Sequence, residues 1–375
     1  MRIVVGGAGI GGLATALSLH AAGITDVTVY EAVEEIRPLG VGIDLLPYAV
    51  RELTELGLYD DVAEISVATT ESVHHDRFGK RVRSEPRGLA AGYAWPQFSV
   101  HRGELQMLLL RAQLAWLGAE SLRTGLRLSG YAQTADGVTV EFTDPAGNTV
   151  TDEADVLIAA DGIDSAGRAL MYPSEGPPTP HARVLWRGVS PAPALLTGHT
   201  RIVAGDGDQT FVAHPLRAAE GERPALLNWL AERPHPGPPT EPRDWQRPAE
   251  LDTILAHFAD WEFDWLDVPA LIANADVAYE YPVVHRAPLP SWSDGRVTLL
   301  GDAAHATFPT GTEGASRAIL DARVLAHALA THPDPLDALA HYEEVRRPAT
   351  TTPSPTPDTD ANSLNNRASY STTTP

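Results

Sequence analysis

Gly7-x-Gly9-x-x-Gly12 follows a short apolar run, Ile3–Val5, and opens a stretch of small and apolar residues at helical spacing, Ile10–Ala22. A turn of this kind aims main-chain N–H groups and the positive end of a helix dipole at a pyrophosphate. Gly7 permits the tight turn, Gly9 lets the backbone approach the phosphates, and Gly12 allows close helix–strand packing. Ile10 stands beside them at the helix start. Glu31 closes the next apolar run, Val27–Tyr30, where it can accept hydrogen bonds from a ribose hydroxyl pair. These residues form a dinucleotide site and do not separate a nicotinamide from a flavin dinucleotide.

Two later segments narrow the choice. Asp161-Gly162, with Ser165 and Arg168 after it, ends the run Asp155–Ala159. Gly301-Asp302 ends the run Val297–Leu300 and precedes Ala303-Ala304-His305. An acid at the C-terminal end of a strand in an open α/β sheet sits where ligands bind. Either pair alone is equally a plain turn. With the N-terminal motif they point to FAD, and Asp302 is placed to hold a ribityl or ribose hydroxyl. His305 is read as a structural residue of the helix that follows.

These residues need a frame. Ile3–Val5, the helical stretch and Val27–Tyr30 make a β-α-β unit. Further expected elements are helices at 48–56 and 101–117, a hairpin of 137–143 with 148–153 turning at Asp144–Gly147, and buried strands at 155–159 and 297–300. Residues 171–274 differ: they are proline-rich, with β-like stretches at 183–189, 200–204 and 209–213, a helical stretch at 251–261 and a loop at 234–242. The fold class is therefore α/β with an α+β insert, a Rossmann-like dinucleotide-binding domain carrying an inserted β-sheet substrate domain. The expected division is 1–70, 98–170 and 275–348 for the cofactor domain and 71–97 with 171–274 for the substrate domain. Residues 349–375 are Thr-, Pro- and Asn-rich, with little that could pack, and are expected to be disordered.

Composition excludes several classes. The chain has 375 residues and a formal net charge of −21, which argues against nucleic acid or an anionic membrane as a partner. It holds no cysteine, so no disulfide, thiolate ligand or redox dithiol is available. Lys80 is the sole lysine, which disfavours Schiff-base chemistry. No signal-peptide pattern, membrane-length apolar run or metal-ligand spacing is evident, and a cytoplasmic monomer or homodimer is expected.

The three motifs, in this order, resemble those of the flavin-dependent aromatic hydroxylases typified by para-hydroxybenzoate and salicylate hydroxylases. The segments GVGIDLLPYAVRELTELGL, SEPRGLAAGYAWPQFSVHRGELQMLLL, RGVSPAP, FADWEFDWLDVPALI and LLGDAAHATFPTGTEGASRAILDA are similar to phenazine-modifying members acting on 5-methylphenazine-1-carboxylate. The resemblance runs through residues 1–348. It implies FAD as cofactor and NADH or NADPH as a transient electron donor. It also implies hydroxylation of a small aromatic substrate by O2, with or without decarboxylation, through a flavin C4a-hydroperoxide. It places Arg102 on the FAD pyrophosphate or ribityl chain, Gly40–Gly42 beside the flavin ring, and Asp161 in support of FAD and the nicotinamide donor. Pro309 is expected at the reactive face of the flavin, and Gly311, Thr312, Gly314 and Ala315 supply amides to its pyrimidine end. Substrate-pocket candidates are Trp186, Arg187, Phe211, His214 and Tyr281, with Arg187 or His214 pairing with a substrate carboxylate.

The chain departs from the family pattern at two places. Glu313 stands where a neutral residue is usual, placing a carboxylate near the flavin; an outward orientation, offset by Arg317 four residues on, is the favoured reading. The 349–375 segment replaces a further helix that the resemblance implies would help cover the cofactor. A flavoprotein oxidoreductase without oxygen insertion, or a non-catalytic FAD-binding remnant, stand as alternatives.

Overall fold

The computed structural model describes residues 1–235, 244–245, 247–307 and 313–351. Its first sheet has six strands in the order Ser293–Asp294, Val297–Leu299, Val156–Ala159, Ile3–Gly6, Val27–Tyr30 and Leu122–Arg123. All neighbours are parallel except the first pair. Ile3, Val4, Val5, Val156, Leu157 and Ile158 are fully buried, as expected for strands covered on both faces. The register aligns Gly6 with both Tyr30 and Ala159, and Ala159 with Leu299. The Gly-rich turn, Glu31, Asp161 and Asp302 therefore leave the sheet at one edge. The helices Ile10–Ala21 and Gly314–Thr331 pack on each other there: a Cβ added at Gly11 would lie 2.9 Å from Leu300 Cδ2 and 3.3 Å from Ala318 Cβ.

The expected hairpin is present in a three-stranded antiparallel sheet of Arg127–Gln133, Val138–Thr143 and Thr149–Ala154. The helix expected from His101 begins at Arg102; His101 is the last residue of the strand Gln97–His101 and caps the helix Arg102–Leu117.

A second large sheet has eight strands, ordered Pro248–Ala249, Ala278–His285, Thr179–Ala192, Ala225–Pro234, Thr210–Arg217, Thr200–Gly205, Glu71–His75 and Arg81–Pro86. It confirms β-structure at the three expected stretches. It adds three strands that sequence patterning missed, the short Pro248–Ala249, Ala225–Pro234 and, last in the chain, Ala278–His285. This last strand pairs with Thr179–Ala192, so the expected boundary at 274/275 falls inside the span of this sheet. One face is closed by the helices Leu251–Phe258 and Val268–Ala273 over a core that includes Trp229, Phe258, Trp261 and Ile272. A small sheet of Gly42–Leu45, Gln97–His101 and Ser66–Thr69 lies against the other face.

The helix Pro335–Thr351 runs three residues into the segment expected to be disordered. Pro348 forfeits one helical N–H. The Thr350 hydroxyl donates to the carbonyls of Arg346 (3.5 Å) and Arg347 (3.0 Å), and Arg346 is tied to Asp321 on the neighbouring helix, so the last turn holds. Residues 352–375 lie outside the described residues. No helix among the described residues is long and apolar enough to cross a membrane.

Candidate active site

The Gly-rich turn has three distinct steric environments. Gly7 has φ +108°, and a Cβ there would fall 2.5 Å from the Ala160 carbonyl oxygen, so the left-handed turn and the close approach both require glycine. A Cβ at Gly12 would lie 1.9 Å from the Gly7 carbonyl oxygen. At Gly9 it would meet nothing within 4 Å. Gly9 is also the N-cap of the helix and supplies no side-chain cap, so Ile10 and its neighbours open a helix whose first amides have no side-chain partner. Glu31 reaches back to the turn: Oε2 accepts the Ala8 amide at 2.8 Å and Oε1 the Val33 amide at 3.0 Å. A carboxylate has capacity for further donors beyond these two.

Asp161 is committed locally. Its Oδ1 accepts the Ser165 hydroxyl, and Oδ2 accepts the amides of Ala166 (2.7 Å) and Gly167 (3.2 Å) at the start of the helix Ala166–Met171. Burial raises its pKa against the pull of those hydrogen bonds. Gly162 beyond it has φ +80°. Arg168, fully buried, ties the second motif to the third. Its Nη1 donates to the carbonyls of Ala303 (3.1 Å) and Ala304 (3.0 Å), and Nη2 to Glu175 (2.5 Å) and Ala287 (2.7 Å). Sequence reading singled out Arg168 without a role; the structure gives it one as a strut.

Gly301 has φ +61°, and its amide points at Asp321 Oδ2, 3.3 Å away. Asp302, by contrast, is exposed and makes no hydrogen bond among the described residues; a Cβ at Gly314 would lie 3.8 Å from its Oδ1. His305 is structural, as its position after the motif suggested: it is buried, its Nε2 is 2.5 Å from Asp321 Oδ2, and Arg346 Nε donates to Asp321 Oδ1 at 2.7 Å. Burial pushes the Asp321 carboxyl up, but His305 and Arg346 outweigh it and hold the pKa at about 2. Gly314 and Ala315 form the first turn of the helix Gly314–Thr331. Pro309, Gly311 and Thr312 lie outside the described residues. Glu313 precedes the helix without a side-chain cap and pairs with Arg317, Oε2 to Nη2 at 2.6 Å, the charge offset that the four-residue spacing suggested.

The eight-stranded sheet sorts the substrate candidates by its period of two. Trp186 pairs with Glu280 and Phe211 with Ala231, and all four face the helices. Trp186 is 4% and Phe211 0% exposed inside that core, so both are corrected from pocket to core. Arg187, His214 and Tyr281 face the opposite way, toward the Gly42–Leu45 strand. With them lie Leu185, Leu230, Val212 and Val283, which sequence reading did not select. Alternation along 183–189 was the available signal, but it could not say which face was open.

Arg187 is half-buried over the Tyr281 ring, 5.6 Å from its centroid. Its Nη2 donates to the Gly42 carbonyl at 2.6 Å, while Nε is buried and has no hydrogen-bond partner among the described residues. Burial lowers its pKa, with the Arg102 charge acting in the same direction. Arg102 lies against Gly40, whose Cβ position is 3.4 Å from Arg102 Cδ. Arg102, Gly40, Gly42, Arg187 and Tyr281 are thus one neighbourhood. His214 is a correction of another kind. It is buried with both ring nitrogens engaged, by Ser99 at 2.5 Å and Asn228 at 2.8 Å, so it offers no donor to a substrate carboxylate.

The FAD binding domain family matches residues 1–197 and 280–352 of the chain. The chain belongs to this family. It is 46% identical over 354 residues to phenazine 1,6-dicarboxylic acid hydroxylase PhzS of Lysobacter antibioticus, covering 93% of this chain and 87% of that protein. It is 34% identical over 374 residues to an FAD-dependent urate hydroxylase of Klebsiella pneumoniae, covering 92% and 86%. Among solved structures, Klebsiella pneumoniae HpxO complexed with FAD and uric acid matches with a TM-score of 0.74 at 29% identity, over 94% of this chain and 85% of that one. A salicylate hydroxylase substrate complex matches with a TM-score of 0.73 at 26% identity, over 94% and 85%. The chain is an FAD-dependent aromatic monooxygenase of this family, with a nicotinamide as electron donor.

Proposed function

We propose that this monooxygenase hydroxylates a planar polycyclic or heteroaromatic carboxylic acid of the phenazine carboxylate kind, with Arg187 taking the carboxylate. The observation that carries this is the buried Nε of Arg187 over Tyr281, without a hydrogen-bond partner among the described residues, beside an apolar patch of Leu185, Leu230, Val212 and Val283. A cation beside an apolar patch suits a flat anionic ring. The phenazine dicarboxylate named for the Lysobacter relative supports the same class.

The residues present fit FAD. The open space above Gly9, the uncapped helix start at Ile10 and the Asp302 carboxylate, unpaired among the described residues, are what a pyrophosphate and a polyol chain need. Gly7, Gly9, Ile10, Gly12, Glu31, Arg102, Asp161, Gly162, Gly301 and Asp302 would hold it, with Gly42 beside the ring. FAD, when bound, supplies hydride acceptance from the nicotinamide and reaction with O2. The first amides of the helix at Gly314 and Ala315 would stabilise negative charge at its end. The Leu185–Leu230 wall would exclude water, and Arg187 would orient the substrate. We divide the chain into a cofactor unit and a substrate unit built on the eight-stranded sheet, the latter taking 71–97 and 171–285.

The test is NADH and NADPH oxidation by the FAD-loaded protein across phenazine carboxylates and simpler aromatic acids, with peroxide measured in parallel. A phenazine acid that accelerates oxidation and yields hydroxylated product without matching peroxide is expected. Acceleration only by monocyclic acids would refute the substrate class. Stoichiometric peroxide with every compound would refute oxygen insertion.

A further inference from the structure

A buried polar chain crosses from the eight-stranded sheet to the strand beside the site. The Gly42 amide donates to Asn228 Oδ1 at 2.8 Å. Asn228 Nδ2 is 2.8 Å from His214 Nε2, and His214 Nδ1 is 2.5 Å from the Ser99 hydroxyl. The Ser99 hydroxyl donates to Asp44 Oδ1 at 3.0 Å, and Arg201 Nε lies 3.7 Å from Asp44 Oδ2. Asp44, Ser99, His214, Asn228 and Arg201 are each at most 8% exposed.

One backbone group sets the polarity of this whole chain. An amide N–H can only donate, so Asn228 must present its oxygen to Gly42 and its nitrogen to His214. His214 Nε2 must then accept, and its proton must sit on Nδ1 and point at Ser99. Ser99 then donates onward to the carboxylate. Asp44, Ser99 and His214 resemble a hydrolytic triad in composition only. Here serine stands between acid and base and is fully buried, which excludes it as a nucleophile.

The chain ends on the strand that the proposed function places beside the flavin. Gly42 is held at its N–H by Asn228 and at its carbonyl by Arg187. A Cβ there would fall 2.6 Å from Asn228 Cβ and 2.8 Å from His214 Cε1, so strand and network are in direct contact. At the other end of the strand, the Leu46 amide donates to the Ser316 hydroxyl at 3.0 Å, in the first turns of the helix Gly314–Thr331. Gly42–Leu45 is thus bolted to the substrate wall on one side and to the helix start on the other.

We propose that His214 is a positioning residue: as a neutral imidazole protonated on Nδ1, it transmits one hydrogen-bond direction from the Gly42 amide to Asp44 and so fixes the gap between the cofactor strand and the Arg187–Tyr281 wall. The consequence for catalysis rests on the function proposed above; the tautomer does not. The charged groups facing the imidazole are Asp44, Arg201 and Arg187, and burial lowers its pKa to about 4, which agrees with a neutral ring.

The experiment uses FAD-loaded protein labelled with 15N at histidine. The His214 resonances, assigned by their loss in His214→Gln, are expected to show protonated Nδ1 and bare Nε2. Asn228→Asp replaces the donor at Nε2 with an acceptor and is expected to protonate Nε2. Ser99→Ala is expected to raise the substrate KM about two- to tenfold, the worth of one net hydrogen bond, and to increase the peroxide share and shift the bound-flavin absorption band. A wild-type proton on Nε2 overturns the proposal. So does a lower Tm in both variants with unchanged flavin band and peroxide share, because a merely structural network would give that result. If no aromatic acid accelerates the wild type, the functional reading fails alone, and the tautomer and flavin band still decide the positioning role.

Discussion

Replacing Arg187 with Gln removes the cation that lies over Tyr281 on the open face of the eight-stranded sheet while keeping a side chain of similar reach. A hydrogen bond to a charged group contributes about 1.5–3 kcal/mol. At about 1.4 kcal/mol per decade, the KM for an aromatic carboxylic acid should rise about 10- to 150-fold. The substitution also loosens the 2.6 Å bond to the Gly42 carbonyl, so KM alone is ambiguous. The discriminating assay compares each acid with its parent ring lacking the carboxylate. The wild type should prefer the acid by roughly the factor above, and Arg187→Gln should flatten that preference. Saturating kcat should change far less than KM. An equal rise in KM for acid and parent would refute carboxylate recognition and leave Arg187 as a clamp on Gly42.

Gly12→Ala puts a Cβ 1.9 Å from the Gly7 oxygen, both atoms being backbone-fixed, so strain at or above the ~1–3 kcal/mol of ordinary overpacking is expected, with flavin lost on gel filtration. Full flavin retention would contradict the turn's proposed role. Asp321→Asn leaves Arg346 buried without its charge partner and should cost about 3–5 kcal/mol, seen as a clear fall in Tm. Asp321 is depressed in the fold, so its contribution is present above pH ~4 and should vanish as pH falls toward about 2. His214 has linkage of the same sign in a higher window: its folded pKa of about 4 lies below the unfolded value, so unfolded chain takes up the proton first, and stability should decline as pH drops from ~6.5 toward 4. A stability profile flat across that window in wild type but not in His214→Gln would contradict this. Phe211→Ala should cost about 3–5 kcal/mol of stability with substrate KM unchanged, since Phe211 faces the helices; a KM change without loss of Tm would return it to the pocket.

Much of the cofactor half was legible in the sequence. Gly7 and Gly12 need glycine for local reasons, and local reasons survive without knowledge of the fold, while the space above Gly9 is open. The strand ends at Glu31, Asp161 and Asp302 were visible because parallel buried strands are apolar runs with abrupt polar stops. The Glu313–Arg317 pair followed from helical spacing alone. The role of Arg168 and the partner of His305 were not legible, because the groups they meet, at Glu175, Ala287, Ala303 and Ala304 for one and Asp321 for the other, are set by how the elements stack.

The substrate half divided differently. Sequence composition named aromatic and basic residues at 186, 187, 211, 214 and 281 but could not orient them. Side chains alternate along a strand, so neighbours such as Trp186 and Arg187 must face opposite ways, and which way is open depends on the partner layer. The tertiary structure made that choice when the helices at 251–258 and 268–273 covered one face and the Gly42–Leu45 strand approached the other. The same approach turned His214 from a candidate ligand into the middle of a buried chain, because its partners at 44, 99 and 228 are far apart in sequence and meet only where the two sheets do.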